Sequence, residues 1–382
     1  MRRLPIDYPI RNLARRPVRT VTTALAFALV AGLWMATAAF VDGLGSSLVA
    51  QSDDDTAIVL TSAAPDDVLR STVGAGVASI LAADVPGVTV VSPEIHMGTN
   101  LRLDEGDDAV VHQVYVRGVT EAAYRAHAAV TLVDGRLPGP GEVLVGDLVA
   151  TRLRVDPRRL APGERVWFEG AHWPISGVFR APGTTIAGEI WAPLTALQGA
   201  VRRDDVSVLF VRFADADAFT DLEVFARRRL DLELVAVPTQ RFFAEAAAWF
   251  GPIQTLAWAL AAMIAAATLF AAVNTFGTAV RERSKELATL RALGFPGRAL
   301  VVALCIEAFL LAAAGALVGL LLARLAVSGA AFRIAMNAFA LDVDGLAVLI
   351  GALGAVATGL LATLPAARRI LTTPIAAGLK GA

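Results

Sequence analysis

Four long apolar stretches divide the chain, and what lies between them is polar, alternating or basic. The first, Val21–Val41, holds 21 uncharged residues. At about 1.5 Å rise per residue this is enough to cross roughly 30 Å of hydrocarbon. It is also longer than the apolar core of a secretory signal, which predicts an uncleaved span (21–41) behind a basic N-terminal arm (1–20). Residues 246–280 carry no charge and predict a second span at 252–276. A third follows at 299–323 and a fourth at 346–366, leaving a polar loop (277–298), a short connector (324–345) and a tail (367–382).

Between residues 42 and 249 no run is apolar and long enough to span. Stretches rich in β-branched and aromatic residues predict strands at Thr56–Leu60, Val88–Val91, Val110–Val119, Arg165–Phe168, Trp173–Phe179, Val206–Phe213 and Leu232–Val237. Helices are expected at Asp66–Ala83, Gly146–Leu153, Ala214–Leu230 and Thr239–Trp249. Pro138-Gly139-Pro140-Gly141 and Pro162-Gly163 mark turns. About 200 residues suffice for an independent core. The expected fold is thus an α-helical membrane protein with four transmembrane helices, one plus three, and a large extracytoplasmic α+β domain after the first.

Charge gives these segments sides. From Asp42 to Glu245 there are 18 basic and 29 acidic residues, and the remainder holds 16 basic and 6 acidic. Such segregation is what the two sides of a membrane produce, with short basic loops inside. It places both termini and the 277–298 loop in the cytoplasm, with the large domain and the 324–345 connector outside. A composition of 56% hydrophobic residues and a mean hydropathy of +0.60 fit a multi-pass protein of the inner or plasma membrane in contact with lipid. Nothing in the charge pattern suggests nucleic acid.

The loop carries Arg281, Arg283, Lys285, Arg291 and Arg298 against Glu282 and Glu286. Its middle is helical with a narrow apolar edge of Leu287, Leu290 and Leu293, and Gly294 followed by Pro296 ends the run. Two readings stand side by side: a handle for a soluble partner, or a solvated connector with ordinary positive-inside charge. Glu307 is the acid set within a predicted span. Such a residue faces the bundle interior with a functional role, or, two turns from the cytoplasmic end, snorkels or pairs with an arginine. Gly315, Gly319, Gly351, Gly354 and Gly359 let helices approach closely, either within the chain or between two copies.

Chemistry is sparse. No GxxxxGK[ST] loop is present, so the chain lacks the usual nest for ATP phosphates. His96, His112, His127 and His172 follow no metal-ligand spacing and read as surface or core histidines. The run Asp53-Asp54-Asp55 reads as a solvated loop rather than a cation site, and Cys305 is the sole cysteine. No catalytic set, metal site or bound cofactor is expected.

Asn274-Thr275, Arg281-Glu282-Arg283, Glu286-Leu287 and Leu290-Arg291-Ala292-Leu293-Gly294 together resemble the loop of MacB/FtsX-type ABC transporter permeases. Leu364-Pro365-Ala366-Ala367-Arg368-Arg369 with Thr373-Pro374-Ile375 is similar to the family's C-terminal ending, and Glu307 falls where these permeases commonly carry a glutamate. Gly141–Gly146 and Ile175–Phe179 resemble the MacB-type periplasmic core domain (here 42–249), and 250–370 the FtsX-like permease domain. Ala288 stands where glycine is usual. The resemblance implies a non-enzymatic membrane subunit that pairs with a second permease chain, as a homodimer or heterodimer, and with two copies of a separate ABC ATPase holding ATP and Mg. Residues 281–294 would be the coupling helix docked on that ATPase, with Arg281, Glu282, Arg283, Glu286, Leu287, Leu290, Arg291, Leu293 and Gly294 as its contact set. Mechanotransmission to the outer domain would then export or extract a lipophilic molecule, peptide or lipoprotein, with a periplasmic adaptor in the export case. The alternative implied is an FtsX-like scaffold that activates a cell-wall hydrolase.

Overall fold

The computed structural model describes residues 7–49, 53–104, 110–327, 331–334, 337–340 and 343–380. Four of its helices are long and apolar enough to cross a membrane, and a large α/β domain lies between the first and the second. The protein is accordingly a multi-pass membrane protein. Its contacts divide into two units. One comprises residues 1–41, 252–329 and 342–382; the other comprises 42–251 and 330–341.

The membrane unit starts with a short amphipathic helix, Asp7–Ala14, here called the arm helix. Pro17 then opens a helix that runs to Val49 and contains the first span, Pro17–Gly43. The second span is Gly251–Glu282, the third Gly297–Val327, and the fourth Gly345–Thr372, broken near Thr363 into Gly345–Ala362 and Leu364–Thr372. The predicted glycines pack these helices within the chain. A Cβ on Gly315 or Gly319 would strike the backbone of Ala24 or Ala28 on the first span, and one on Gly351 or Gly354 would meet Ala31 or Trp34 on the same helix. On Gly359 it would meet Ala312 of the third span at 2.9 Å. These are close intrachain approaches of the kind that small residues permit.

The outer domain is built on β1 Thr56–Thr61, β2 Val73–Gly74, β3 Val88–Arg102, β4 Val111–Val119, β5 Thr131–Gly135 and β6 Val143–Gly146. It continues with β7 Arg165–Phe168, β8 Ala171–Arg180, β9 Glu189–Pro193, β10 Asp205–Val206, β11 Val208–Phe213 and β12 Leu234–Pro238. The main sheet runs β12-β1-β11-β3-β4-β9-β6-β8-β5, with β7 off this path against β3 and β8. Pairing is mixed: β4 with β9 and β6 with β8 are parallel, the rest antiparallel. Strand β1, TAIVLT, is buried at every position: β12 and β11 flank its edges, Ala57 and Val59 enter one core on one face, and Ile58 and Leu60 enter another on the opposite face. Leu81, Leu197 and Leu222, from three separate helices, close the core of this sheet.

Several expectations change here. Of the expected helix Asp66–Ala83 only the last part is helical, within Val77–Asp84, since Val73–Gly74 enters a small strand pair with β10. Strands β5, β6 and β9 were not expected at all. The run Asp53-Asp54-Asp55 is solvated at Asp53 and Asp54 and is also paired, since Arg212 bonds Asp55 at 2.8 Å and Asp53 at 2.5 Å.

Candidate coupling site at the loop after the second span

The second span ends at Glu282, and a separate helix, Ser284–Ala292, follows at once (the loop helix below). Its end is fully capped. Phe295 N–H donates to the Leu290 carbonyl at 3.1 Å and Gly294 N–H to the Arg291 carbonyl at 3.1 Å, with Gly294 at φ +91. This 6→1, 5→2 pair satisfies carbonyls that would otherwise be orphaned, and glycine is what makes the left-handed turn affordable.

The loop helix and Arg283 just before it are tied to the rest of the membrane unit at three places. Arg283 donates to Glu307 Oε2 at 3.1 Å and to Oε1 at 3.4 Å. Asn12 of the arm helix donates to Glu307 Oε2 at 2.7 Å, so this buried acid carries donors from two elements. Tyr8, one turn earlier on the arm, donates to Glu286 Oε1 at 3.0 Å. Burial and then the Glu286 carboxylate push the Tyr8 hydroxyl up to about 12. Outside this set, on the exposed end of the second span, Arg16 and Arg19 both reach Glu282. Finally, Arg291 donates to the carbonyls of Ile370 at 3.2 Å and Thr373 at 2.6 Å, capping the end of the fourth-span helix. Cations at a helix C-terminus are favourable because the last carbonyls point at them.

Apolar contacts agree with the polar ones. Leu287 and Leu290 pack against the core formed by Phe276, Leu300, Leu304 and Ile370, and Ala288 is buried. The residues turned to solvent are Arg281, Glu282, Lys285, Thr289, Ala292, Leu293 and Gly294, with Leu293 at 60% exposure. The expected contact set is thus split. Arg283, Glu286, Leu287, Leu290 and Arg291 face the chain's own arm, third span and tail, whereas Lys285 and Thr289, absent from that set, face out. The physical reason is that a narrow apolar edge is buried by whichever apolar surface is nearest, and here that surface belongs to the same chain. Tyr8 and Asn12 were also missed. Their i, i+4 spacing, which places both on one face of the arm, was the available signal.

The outer domain holds a second polar cluster, at the heart of its sheet. Glu94 on β3 accepts from Ser92 at 2.9 Å, His127 Nε2 at 2.7 Å, His96 Nε2 at 3.0 Å and Arg117 at 2.9 Å. Arg117 on β4 also grips Glu189 of β9 through two bonds of 2.7 and 2.8 Å, and Trp191 donates to Glu189 at 3.0 Å. Because His96 Nε2 donates to a carboxylate, its Nδ1 accepts from the Tyr115 hydroxyl at 3.0 Å, which fixes the tautomer. Burial alone would raise Glu94, but the charges of His127 and Arg117 hold it well below the usual carboxylate range. Burial, then Arg117, pushes His96 down. Of the surface and core alternatives that the sequence leaves for His96 and His127, both are core, within this set of partners.

Comparison with known proteins gives two family matches. Residues 20–224, more than half of the chain, match the MacB-like periplasmic core domain, and residues 258–375 match the FtsX-like permease C-terminal domain. No curated protein matches the chain. Among solved structures, the extracellular domain of the noncanonic ABC-type transporter YknZ from Gram-positive bacteria is 17% identical, with a TM-score of 0.37, covering 48% of this chain and 99% of that one. The periplasmic region of MacB from Actinobacillus actinomycetemcomitans is 12% identical, with a TM-score of 0.38, covering 49% and 90%. A domain of a permease-type protein from Porphyromonas gingivalis is 20% identical, with a TM-score of 0.35, covering 48% and 90%. At such TM-scores these likenesses carry no weight, and the assignment rests on the two family models. The chain belongs to the MacB/FtsX-like ABC transporter permeases.

Proposed function

We propose that this chain is the membrane subunit of an ABC transporter, with both termini and the loop helix in the cytoplasm. The loop helix receives a separate ATPase subunit. Movement of that subunit is passed through the spans to the outer domain, where a lipophilic molecule, peptide or lipoprotein is exported or extracted. Two permease chains and two ATPase subunits make the working unit, and ATP and Mg belong to the ATPase.

The observation that supports this reading most is the way the loop helix is held. It is capped at its end, tied from behind to the arm helix, to Glu307 and to the fourth-span helix, and bare in front. A solvated connector has no need of three such anchors, each worth roughly 0.5–3 kcal/mol. A lever that must transmit force does, because slack at its root would absorb the motion. The docking surface is then Lys285, Thr289, Ala292 and Leu293, on successive turns of one face. The test is site-specific photocrosslinking in native membranes, with the photoreactive residue at Thr289 or at Leu287. A crosslink from Thr289, and not from Leu287, to a subunit bearing an ATP phosphate loop supports the reading. Silence at Thr289 sinks it.

A further inference from the structure

A cavity of about 260 Å³ lies in the outer domain directly above the Glu94–Arg117 cluster. Its walls are apolar and aromatic: Ile58 of β1, Val208 and Phe210 of β11, and Phe242 and Phe243 of the helix Thr239–Ala248. Its floor is polar, with His96, Tyr115, Arg117, His127 and Glu189 all lining it. Asp66 and Asp67 stand at its edge, on a turn in which Asp67 Oδ1 accepts from Leu69 N–H at 2.9 Å.

The charge of this space is lopsided. Glu189 and, behind it, Glu94 share the single guanidinium of Arg117 through direct bonds, while Asp66 and Asp67 at the edge have no such partner among the described residues. Protonating both imidazoles would still leave a carboxylate over. Among the described residues no basic side chain pairs with Asp66 or Asp67, whereas Asp53, Asp55, Asp147 and Asp205 of the same domain each have an arginine partner. An unneutralised negative charge beside a low-dielectric wall attracts a cation more strongly than it would in bulk water. Phe210, Phe242 and Phe243 line the same space, and an aromatic ring whose face meets a cation attracts it through its quadrupole. An anion would meet the carboxylates, and a neutral apolar guest would leave the negative excess unanswered.

We propose that this chamber binds a small organic cation, an ammonium with an attached ring or short chain. Its apolar part lies between Phe210, Phe242 and Phe243, and its charge is held by Asp66, Asp67 and the Glu189 side of the floor. The volume is slightly under that of drug-sized pockets, about 300–1,000 Å³, so the occupant is a single-ring amine or the cationic end of something larger. The helix bearing Phe242 and Phe243 ends at Ala248, and the second span begins at Gly251, so one wall of the chamber continues in sequence into a span. The inference stands on the outer domain alone and does not depend on the ATPase reading.

The test is titration calorimetry on the full chain in a non-ionic detergent with three probes that share a phenyl ring. These are 2-phenylethylammonium, 2-phenylethanol and phenylacetate. The ammonium is expected to bind at least about tenfold more tightly than the alcohol, which is 1.4 kcal/mol, and phenylacetate is expected to give no saturable heat. Replacing the rim acids together (Asp66→Asn with Asp67→Asn) lies on a surface turn and should spare the thermal melt. It should weaken the ammonium about fivefold or more and leave the alcohol unchanged, which also separates binding from partition into micelles. Phe243→Ala should weaken both the ammonium and the alcohol. Equal affinity for ammonium and alcohol, or no change in the Asn double variant, overturns the cation assignment. An unchanged affinity in Phe243→Ala overturns the location, and no saturable heat from any probe overturns the site.

Discussion

Two buried acids, one in each unit, are satisfied in opposite ways. Glu307 sits in a span and takes its donors from Asn12 and Arg283, both of which lie outside the spans' apolar interior. Glu94 sits mid-strand and takes four donors, all from within its own domain. The first is an anchor between elements, since it joins an arm, a loop and a span that are otherwise separate helices. The second is a local knot that holds β3, β4 and β9 in register. A carboxylate in an apolar span costs several kcal/mol if unmatched, so it must recruit partners from the nearest polar segments. A carboxylate within a sheet can be matched from neighbouring strands, and the cluster then specifies how those strands align.

The contrast is sharpest under truncation. Arg117→Ala would leave Glu94 and Glu189 buried without their common counter-ion, a loss of about 3–5 kcal/mol for a broken buried pair. The outer domain should then lose its protease resistance and its slow amide exchange, while the spans still insert. Asn12→Ala removes one of two partners from Glu307 and should cost about 1–3 kcal/mol, seen as earlier unfolding of the membrane unit on heating in detergent. If Asn12→Ala destabilises the protein more than Arg117→Ala does, the roles assigned to the two acids are reversed.

Acid separates the two regions further. His96 is held below its ordinary 6.5, so the unfolded chain takes up a proton first as pH falls. That contribution to stability is complete above pH 6.5 and shrinks below it. Glu94 is depressed from 4.5, so its contribution is complete above 4.5 and is lost as pH drops through the folded value. Both act in the same direction. Amide protection in β3 and β4, taken relative to the intrinsic exchange rate at each pH, should therefore fall from pH 7 to pH 5 and again below 4.5. His96→Gln should flatten the first step.

At the opposite end, Tyr8→Phe deletes one hydrogen bond to Glu286 and should cost only about 0.5–1.5 kcal/mol. Because the Tyr8 hydroxyl is raised from 10.0 to about 12, its contribution is complete below pH 10 and is lost only as pH rises through 12. An arm helix that loosens between pH 7 and 9 in the wild type, by amide exchange, would contradict the Tyr8–Glu286 contact.

How far these regions were legible in the sequence follows from the same physics. The spans declared themselves because twenty apolar residues in a row have few other fates. Glu307 stood out against such a background, and Gly294 marked the end of the loop helix by a backbone requirement. Glu94, Arg117 and Glu189 did not stand out, because a charge at an alternate position of a strand looks like the solvent face of an amphipathic pattern. Strand β9 was missed for that reason: Glu189 opens it with a charge whose partner lies 72 residues away. The expected helix Asp66–Ala83 overlooked Gly74 and Gly76, which let the chain leave helical geometry. The direction of the loop helix was not legible either. Its leucines announce an edge that will be covered, and only the fold tells whether the cover is the same chain or a partner.

That last point carries the functional reading, and a pair of substitutions tests it. Leu293→Asp places a carboxylate on the bare face of the loop helix, and Leu290→Asp places one in the chain's own core. The measurement is recovery of the ATPase subunit with affinity-purified permease, at matched amounts of correctly folded protein. Leu293→Asp should fold and insert normally yet lose the ATPase about a hundredfold, the equivalent of burying a mismatched charge worth roughly 2.8 kcal/mol. Leu290→Asp should instead lower the yield of folded permease. If Leu293→Asp retains the ATPase at the wild-type level while folded Leu290→Asp sheds it, the inward leucines are the docking edge and the bare face is only a solvated surface.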